Sequence, residues 1–186
     1  MSAEGVREKY RLFFAAWPSA QIQTWLAGVG QDLQRSLGGR ATRPDSIHLT
    51  LVFIGDVVAA RFDDVSALGD SVRCERFTLD IDTRGCWAHN RIAWAAPSAA
   101  PPPLADLVSQ LQARVRGLGF EIDARPYAPH ITLVRKAERA LRTEALPATA
   151  QWPVEDFVLV SSQLAGRGSR YNVVRRWACR SDAAAT

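Results

Sequence analysis

Short apolar runs with strand-like patterns recur along the chain, between segments of helical periodicity. Most of these runs are continuously apolar, as in a buried strand, whereas Phe77–Asp82 alternates apolar and polar residues, as a half-buried strand does. Gly, Pro and Asp residues that favour turns bound several of them. The pattern predicts seven strands: Tyr10–Ala16, His48–Ile54, Phe77–Asp82, Arg91–Ala96, Ile131–Arg135, Val154–Ser162 and Tyr171–Ala178.

Three segments have the three- and four-residue spacing of apolar positions that is typical of an amphipathic helix. The first begins after Ser19, a good N-cap residue, and ends at Gly38. The second covers Ala59–Val72, and the third begins at Pro101–Pro103 and ends near Gly117. The remaining segments are predicted to be a polar loop at 40–46, a loop or short edge strand at 120–129, and one helical turn at Ala137–Leu141.

The order of these elements favours an α+β fold. Strands and helices interleave, but the last two strands follow each other with only a glycine-rich turn at 166–168 between them. A doubly wound parallel sheet would need a helix there. Residues 1–186 have the length of a single domain, no low-complexity linker divides them, and residues 181–186 have the small, polar composition of a frayed tail.

Composition places the chain among soluble globular proteins. Apolar residues make up 47% and charged residues 23%, which excludes a disordered, collagen-like or disulfide-scaffold chain. No apolar run approaches the ~20 residues that span a bilayer, and the first residues lack the pattern of a secretory signal. We therefore expect a cytoplasmic protein that does not associate with membranes.

The charged and sulfur-containing residues add two expectations. The formal net charge is +4, and every basic residue except Lys9 and Lys136 is Arg, which weakly favours an anionic partner. The three cysteines, Cys74, Cys86 and Cys179, are scattered and lack the spacing of metal ligands. We expect buried thiols in a reducing compartment and neither a metal nor another cofactor.

One five-residue motif occurs twice and uses two of the three histidines. Residues 48–52 read HLTLV and residues 130–134 read HITLV, each on a predicted strand. Because side chains alternate between the two faces of a strand, His48 and Thr50 share one face, as do His130 and Thr132. The aliphatic residues between them point to the other face. If a pseudo-two-fold axis relates the two halves, the two His-Thr pairs face each other across a cleft.

Two such pairs suit in-line displacement at phosphorus. A neutral imidazole can remove a proton from an attacking water, and an imidazolium can protonate the departing oxygen. The threonine hydroxyls can donate to the non-bridging phosphate oxygens without a metal. The alternative, that two core strands contain these residues by coincidence, does not account for two matching units. The third histidine, His89, has no threonine partner and is expected to be an exposed turn residue.

These motifs resemble those of the 2H phosphoesterase superfamily, and in particular of the RNA 2′,3′-cyclic phosphodiesterases, historically called 2′-5′ RNA ligases. The resemblance covers about residues 10–178: Arg11–Ala15 resembles the opening strand of the family, and Gly168 with Tyr171, Arg176 and Trp177 its closing block. The two central blocks are HLTLVFIG at 48–55 and RPYAPHITLVR at 125–135.

The resemblance implies two pseudo-symmetric lobes, each an antiparallel sheet flanked by helices, around a central catalytic groove. It implies hydrolysis of a 2′,3′-cyclic phosphate terminus to a 2′-phosphate, with His48 as the proton donor and His130 as the proton acceptor. Spacing alone does not assign these two roles, because they depend on the orientation of the substrate. The implied partner is an RNA with a cyclic phosphate end or a small cyclic nucleotide, bound by a monomer.

Several residues near the motifs are candidate substrate-binding groups. Arg135 and Phe53 lie on the face opposite the histidines in an ideal strand, so a bend or bulge is needed to bring Arg135 to the phosphate and Phe53 to a base, the contacts that the resemblance implies. Tyr127 lies in the turn before His130. Arg125 and Arg43 lie in the loops before the two motifs, where a positive rim would hold RNA phosphates. Weaker candidates of the same kind are Arg167, Arg170 and Tyr171.

Two other activities fit the same residues. The first is 2′-5′ ligation, the reverse of the hydrolytic reaction, which requires a 5′-hydroxyl held in the attack position. The second is binding of RNA ends without turnover, which the basic rim favours but which leaves both His-Thr pairs unexplained.

Overall fold

The computed structural model describes residues 9–165 and 168–181. Within these ranges the chain forms nine strands and three α-helices. The strands are β1 (Lys9–Ala16), β2 (Arg40–Ala41), β3 (Leu49–Val58), β4 (Phe77–Trp87), β5 (Ile92–Ala96), β6 (Ile131–Arg135), β7 (Leu141–Val154), β8 (Asp156–Ala165) and β9 (Gly168–Ala178). The helices are α1 (Ala20–Leu37), α2 (Phe62–Ala67) and α3 (Pro102–Gly117), and short 3-10 segments occur at Pro44–Ser46, Ala59–Arg61 and Leu68–Ser71. Arg167 and residues 182–186 of the predicted tail lie outside the described residues.

All the strand pairs are antiparallel, and the sheet consists of two matching halves. The strand order is β7-β4-β5-β6-β3-β1-β8-β9, with β2 paired to β6. One half contains β3, β1, β8 and β9, and the other contains β6, β5, β4 and β7. The halves meet where Leu49 of β3 pairs with Ile131 of β6. This arrangement confirms the predicted α+β fold with two antiparallel lobes flanked by helices.

The two halves interlock through their helices. Each half runs strand, helix, histidine strand: β1-α1-β3 in one and β5-α3-β6 in the other. However, α1 packs mainly against β6, and α3 packs against β3. A Cβ atom at Gly30 of α1 would lie 3.4 Å from the Leu133 carbonyl oxygen of β6, so the helix approaches the strand closely. One large apolar core, which includes Leu26, Leu111 and Ile131, therefore extends through both halves.

The caps of α1 follow the sequence signals. The Ser19 hydroxyl accepts a hydrogen bond from the Ile22 amide, and Gly38 ends the helix with a φ of 72°, a conformation that favours glycine. The second predicted helix is shorter than expected, because α2 is flanked by 3-10 turns on both sides. Strand β3 continues past Gly55 to Val58, which corrects the predicted end of that strand.

Strand β7 corrects the prediction of a helical turn at Ala137–Leu141. The chain bends at 138–139 and then forms a strand of 14 residues. Within the described sheet β7 pairs only with β4, so it is an edge strand, and most of its side chains are exposed. It contains Pro147 and Pro153, which are tolerated at an edge because the missing amide need not contribute to a ladder. Because of the two prolines and the weak apolar pattern, the sequence does not predict this strand.

Cys74 and Cys179 form a disulfide bond, so the prediction of buried free thiols is wrong for this pair. The two residues are 105 positions apart, and only the fold brings them together. Cys86 is free and half-buried.

The disulfide lies where the chain passes between the halves. Cys74 precedes β4, and the Arg180 amide donates a hydrogen bond to its carbonyl oxygen. The Cys179 amide donates to the carbonyl oxygen of Glu155, in the connection from β7 to β8. The end of β9 is thereby tied to both connections.

No helix in the described ranges is long and apolar enough to cross a membrane.

The disulfide is expected to stabilise the fold through the unfolded state. Replacing both Cys74 and Cys179 by Ser should lower the free energy of unfolding by about 2–5 kcal/mol, because a link between distant residues restricts the unfolded chain. Denaturant unfolding under non-reducing conditions measures this difference. Cys86→Ser is the control and should change stability by less than about 1 kcal/mol. Equal stability of the double variant and the unaltered protein would contradict the prediction.

Candidate active site

The two histidine motifs form one polar patch at the junction of the halves. Because Leu49 pairs with Ile131 in antiparallel register, Thr50 lies opposite His130 and His48 lies opposite Thr132. Cross-strand neighbours have Cβ atoms about 5 Å apart. All four side chains line one cleft of about 900 Å³. The pairs therefore share a cleft, as expected, and they come from the two strands that meet at the junction.

The residues between them are buried behind this patch. Leu49, Leu51, Ile131 and Leu133 have exposed fractions of 2% or less. Their burial holds the motifs in place, because a slip of one residue would move the histidines into the core.

Equivalent hydrogen bonds orient the two imidazoles. The Nδ1 atom of His48 lies 2.8 Å from the carbonyl oxygen of Ser46, and Nδ1 of His130 lies 2.9 Å from the carbonyl oxygen of Ala128. A carbonyl oxygen can only accept, so each Nδ1 carries the hydrogen and donates it. Nε2 is therefore the nitrogen that takes up or releases a proton on both rings.

The surroundings of the histidines lower their affinity for protons. Burial lowers the pKa of His48 to about 4, and the positive charges of Arg135 and His130 act in the same direction, against the opposing effect of the hydrogen bond to Ser46. Burial also lowers the pKa of His130, as does Arg135, against the hydrogen bond to Ala128. Both rings therefore favour the neutral form near pH 7 in the absence of a bound anion.

A bulge in each histidine strand places one further side chain on the cleft face. Strand β3 has two extra residues relative to β1, Leu51 and Ile54, and Leu51 is the one between Thr50 and Phe53; Leu133 is the extra residue in β6 relative to β5. Each bulge shifts the alternation of side chains by one position. The third residue after each threonine, Phe53 or Arg135, therefore returns to the face of the histidines and lines the cleft. Phe53 is 49% exposed, and the Arg11 guanidinium lies 5.5 Å from the centre of its ring.

Positive charge dominates the described lining of the cleft. It contains no Asp or Glu, and Ser162 and Ser169 add hydroxyl groups on the side of β8 and β9. Arginines from four strands and one loop contribute: Arg11, Arg40, Arg43, Arg135 and Arg170. A groove of this composition attracts anions such as phosphate. Among the described residues no group of three or more His, Cys, Asp or Glu is placed to hold a metal ion.

Two of the predicted substrate-binding residues lie outside this lining. Tyr127 is half-buried against the core, its hydroxyl donates to the carbonyl oxygen of Thr50 at 3.0 Å, and burial raises its pKa. Arg125 is exposed and forms an ion pair with Asp123, which lowers the pKa of that carboxyl to about 2. Arg43 does line the cleft, and it pairs with the adjacent Asp45.

Sequence analysis missed several lining residues. Arg11 and Phe13 line the cleft from β1, whereas the sequence pattern predicts a wholly buried strand there; the charged Arg11 at its start is the local signal for a cleft-facing side. Arg40, Ser162 and Ser169 have no local signal, because tertiary structure alone brings them to the cleft. Of the weaker candidates, Arg170 and Tyr171 line it. His89 is exposed in a turn, as predicted.

The lowered pKa of His48 should make stability depend on pH. The unfolded chain keeps a histidine pKa near 6.5, whereas the folded value is about 4, so the unfolded state binds more protons between these values. Stability should fall as the pH decreases from about 6.5 to 4, by up to ~1.4 kcal/mol per pH unit from this group. Unfolding experiments across this range, on the unaltered protein and on His48→Gln, measure the contribution. Equal pH slopes for the two proteins would contradict it.

Comparison with known proteins finds relatives over most of the chain. The model of the LigT-like phosphoesterase family matches residues 17–94 and 96–171. The RNA 2′,3′-cyclic phosphodiesterase of Escherichia coli K12 is 32% identical over 171 residues, which cover 92% of this chain and 97% of that protein. The Thermus thermophilus protein of the same name is 30% identical over 182 residues, 92% of this chain and 91% of that protein.

A solved structure of a relative has the same fold. The crystal structure of E. coli LigT complexed with 3′-AMP matches with a TM-score of 0.85 at 32% identity and covers 92% of this chain and 99% of that chain. The resemblance inferred from the two motifs is thus confirmed across most of the sequence. The chain belongs to the LigT-like phosphoesterase family of the 2H superfamily.

Proposed function

We propose that this protein hydrolyses the 2′,3′-cyclic phosphate at the end of an RNA and leaves a 2′-phosphate. The observation that carries the proposal is the pair of His-Thr units, related by a local two-fold axis, in an arginine-lined cleft. The names of the relatives from E. coli and T. thermophilus support the same substrate.

The two Nε2 atoms carry out the proton transfers. The oxygen of a water molecule attacks phosphorus as the P–O3′ bond breaks. Nε2 of His130 takes a proton from the attacking water, and Nε2 of His48 gives its proton to the departing O3′. Afterwards His130 is protonated and His48 is neutral, and exchange with solvent restores both.

His48 must be protonated in the complex to act as the acid. In the free protein its pKa is about 4, and the surrounding positive charges oppose protonation. The negative charge of the bound cyclic phosphate reverses this balance, because a nearby opposite charge favours the charged form. Substrate binding thus prepares the acid, and no metal takes part in the transfers.

The remaining cleft groups position the substrate. Thr50 and Thr132 donate hydrogen bonds to the non-bridging oxygens, where negative charge develops. Arg135 adds a fixed positive charge on the same face. Phe53, half-exposed beside Arg11, stacks on the terminal base, and Arg43 and Arg170 contact phosphates further along the RNA. We infer that the protein acts on RNA as a monomer in the cytoplasm.

His48→Ala and His130→Ala should each reduce turnover of an oligonucleotide with a 2′,3′-cyclic phosphate end by about 10²–10⁴-fold. The measurement is product analysis that separates 2′-phosphate, 3′-phosphate and ligated products, with and without EDTA. Arg125→Ala, whose guanidinium lies outside the cleft, is the control and should retain activity. Near-normal rates in either histidine variant, or loss of activity in EDTA, would refute the proposal. A ligated product with a 5′-hydroxyl partner would indicate the reverse reaction instead.

The two roles can be separated with a substrate in which sulfur replaces the leaving O3′. A thiolate departs without protonation, so the acid is dispensable whereas the base is not. This substrate should restore most of the rate of His48→Ala and leave His130→Ala slow. If this substrate instead restores the rate of His130→Ala and leaves His48→Ala slow, His130 is the acid and His48 is the base.

Phe53→Ala should raise KM by about 5- to 100-fold with a smaller effect on kcat, because stacking on one base is worth about 1–3 kcal/mol. Phe53→Tyr keeps the aromatic face and should stay close to the unaltered protein. The control is an RNA whose terminal nucleotide lacks its base but keeps the cyclic phosphate. If Phe53→Ala weakens binding of this RNA just as strongly, the side chain does not stack on the base.

A further inference from the structure

One aromatic residue beside the cleft has no part in the reaction described so far. Trp17 directly follows β1, and its indole lies parallel to the imidazole of His48, with an angle of 2° between the planes and 5.2 Å between the ring centres. Phe13 lies 4.9 Å from the same imidazole, tilted by 30°. Tyr171 of β9 is perpendicular to it at 5.1 Å. Rings from two strands and one loop thus surround His48.

The second histidine has a different environment. The aromatic partner described for His130 is Trp87, perpendicular at 71° with 4.5 Å between the ring centres. The sequences after the equivalent strands explain the difference: residues 15–19 read AAWPS after β1, whereas residues 95–98 read AAPS after β5. The first half has a tryptophan at a place where the second half has none. The pseudo-symmetry of the two halves therefore does not extend to the stacked indole.

A parallel indole has two physical effects on an imidazole. It restricts rotation of the ring, and so keeps Nε2 aimed into the cleft while Nδ1 donates to Ser46. Its negative π-face also attracts a cation, and tryptophan provides the strongest such attraction among the aromatic residues. The second effect favours the imidazolium over the neutral ring.

We propose that Trp17 is a positioning residue for His48. The indole of Trp17 fixes the plane of the His48 imidazole and stabilises this imidazole when it carries the proton for the leaving oxygen. The inference rests on the proposed function, because it concerns how His48 serves as the acid.

Most of the other groups near His48 disfavour its protonated form, so the imidazolium needs a stabilising contact such as the indole. The pKa of His48 is lowered by burial first, and then by Arg135 of β6 and by His130, which directly precedes β6. The charged and titratable residues that share the cleft with it are Arg11 of β1, Arg40 and Arg43 before β3, His130 directly before β6, Arg135 of β6, and Arg170 and Tyr171 of β9. Apart from Tyr171 these groups carry or acquire positive charge. The hydrogen bond to Ser46, the stacked indole and the bound phosphate are the features that favour a proton on His48.

The test compares Trp17→Leu, which keeps an apolar cover but removes the π-face, with Trp17→Phe, which keeps an aromatic face. NMR titration of the imidazoles, in free protein and with bound inorganic phosphate, follows the proton on each ring; the chain has three histidines. In Trp17→Leu the pKa of His48 should fall by about half to one pH unit, while that of His130 stays unchanged. The alkaline limb of the kcat–pH profile should move to lower pH by the same amount, with little change in KM. Trp17→Phe should recover most of both effects.

Trp25→Leu, on α1, is the control for loss of an indole elsewhere and should leave the His48 titration unchanged. The proposal is overturned if Trp17→Leu leaves that titration unchanged, if Leu and Phe have equal effects, or if the kcat–pH profile does not follow the titration. The titration needs no turnover. Failure of the proposed function would instead appear as absence of hydrolysis by the unaltered protein.

Discussion

The pairing of Leu49 with Ile131 is the contact on which the site depends. It joins the two halves of the sheet and sets the antiparallel register in which each histidine lies opposite the threonine of the other motif. The register is held from behind, because the aliphatic residues of both strands are almost completely buried. Hydrophobic burial on one face thereby determines the positions of polar groups on the other. The cleft is a consequence of how two strands meet.

The histidines and threonines could be predicted from the sequence because their geometry follows from the period of a single strand. Alternation places His48 with Thr50 and His130 with Thr132 whatever the strands pair with. The positions of Phe53 and Arg135 could not be predicted in this way. They depend on the bulges at Leu51 and Leu133, and a bulge is a property of two paired strands rather than of one.

The same distinction separates the other successes from the errors. The caps of α1 are local, so Ser19 and Gly38 marked its ends correctly. Strand β7 has a weak local pattern because it is an exposed edge strand with two prolines, and only its pairing with β4 defines it. The disulfide between Cys74 and Cys179 depends on where two distant segments meet, which spacing along the chain does not encode.

The exchange of helices between the halves limits how the cleft can move. Since α1 packs behind β6 and α3 packs behind β3, separating the two halves would expose the apolar sides of both helices to water. Rotation of the two halves away from each other about a hinge is therefore energetically unfavourable, and the walls of the cleft stay rigid around a ligand. Adaptation to RNAs of different length or sequence then falls to the side chains at the rim. For the same reason, cutting the chain between β3 and α3 would leave each fragment without the helix that covers its own histidine strand.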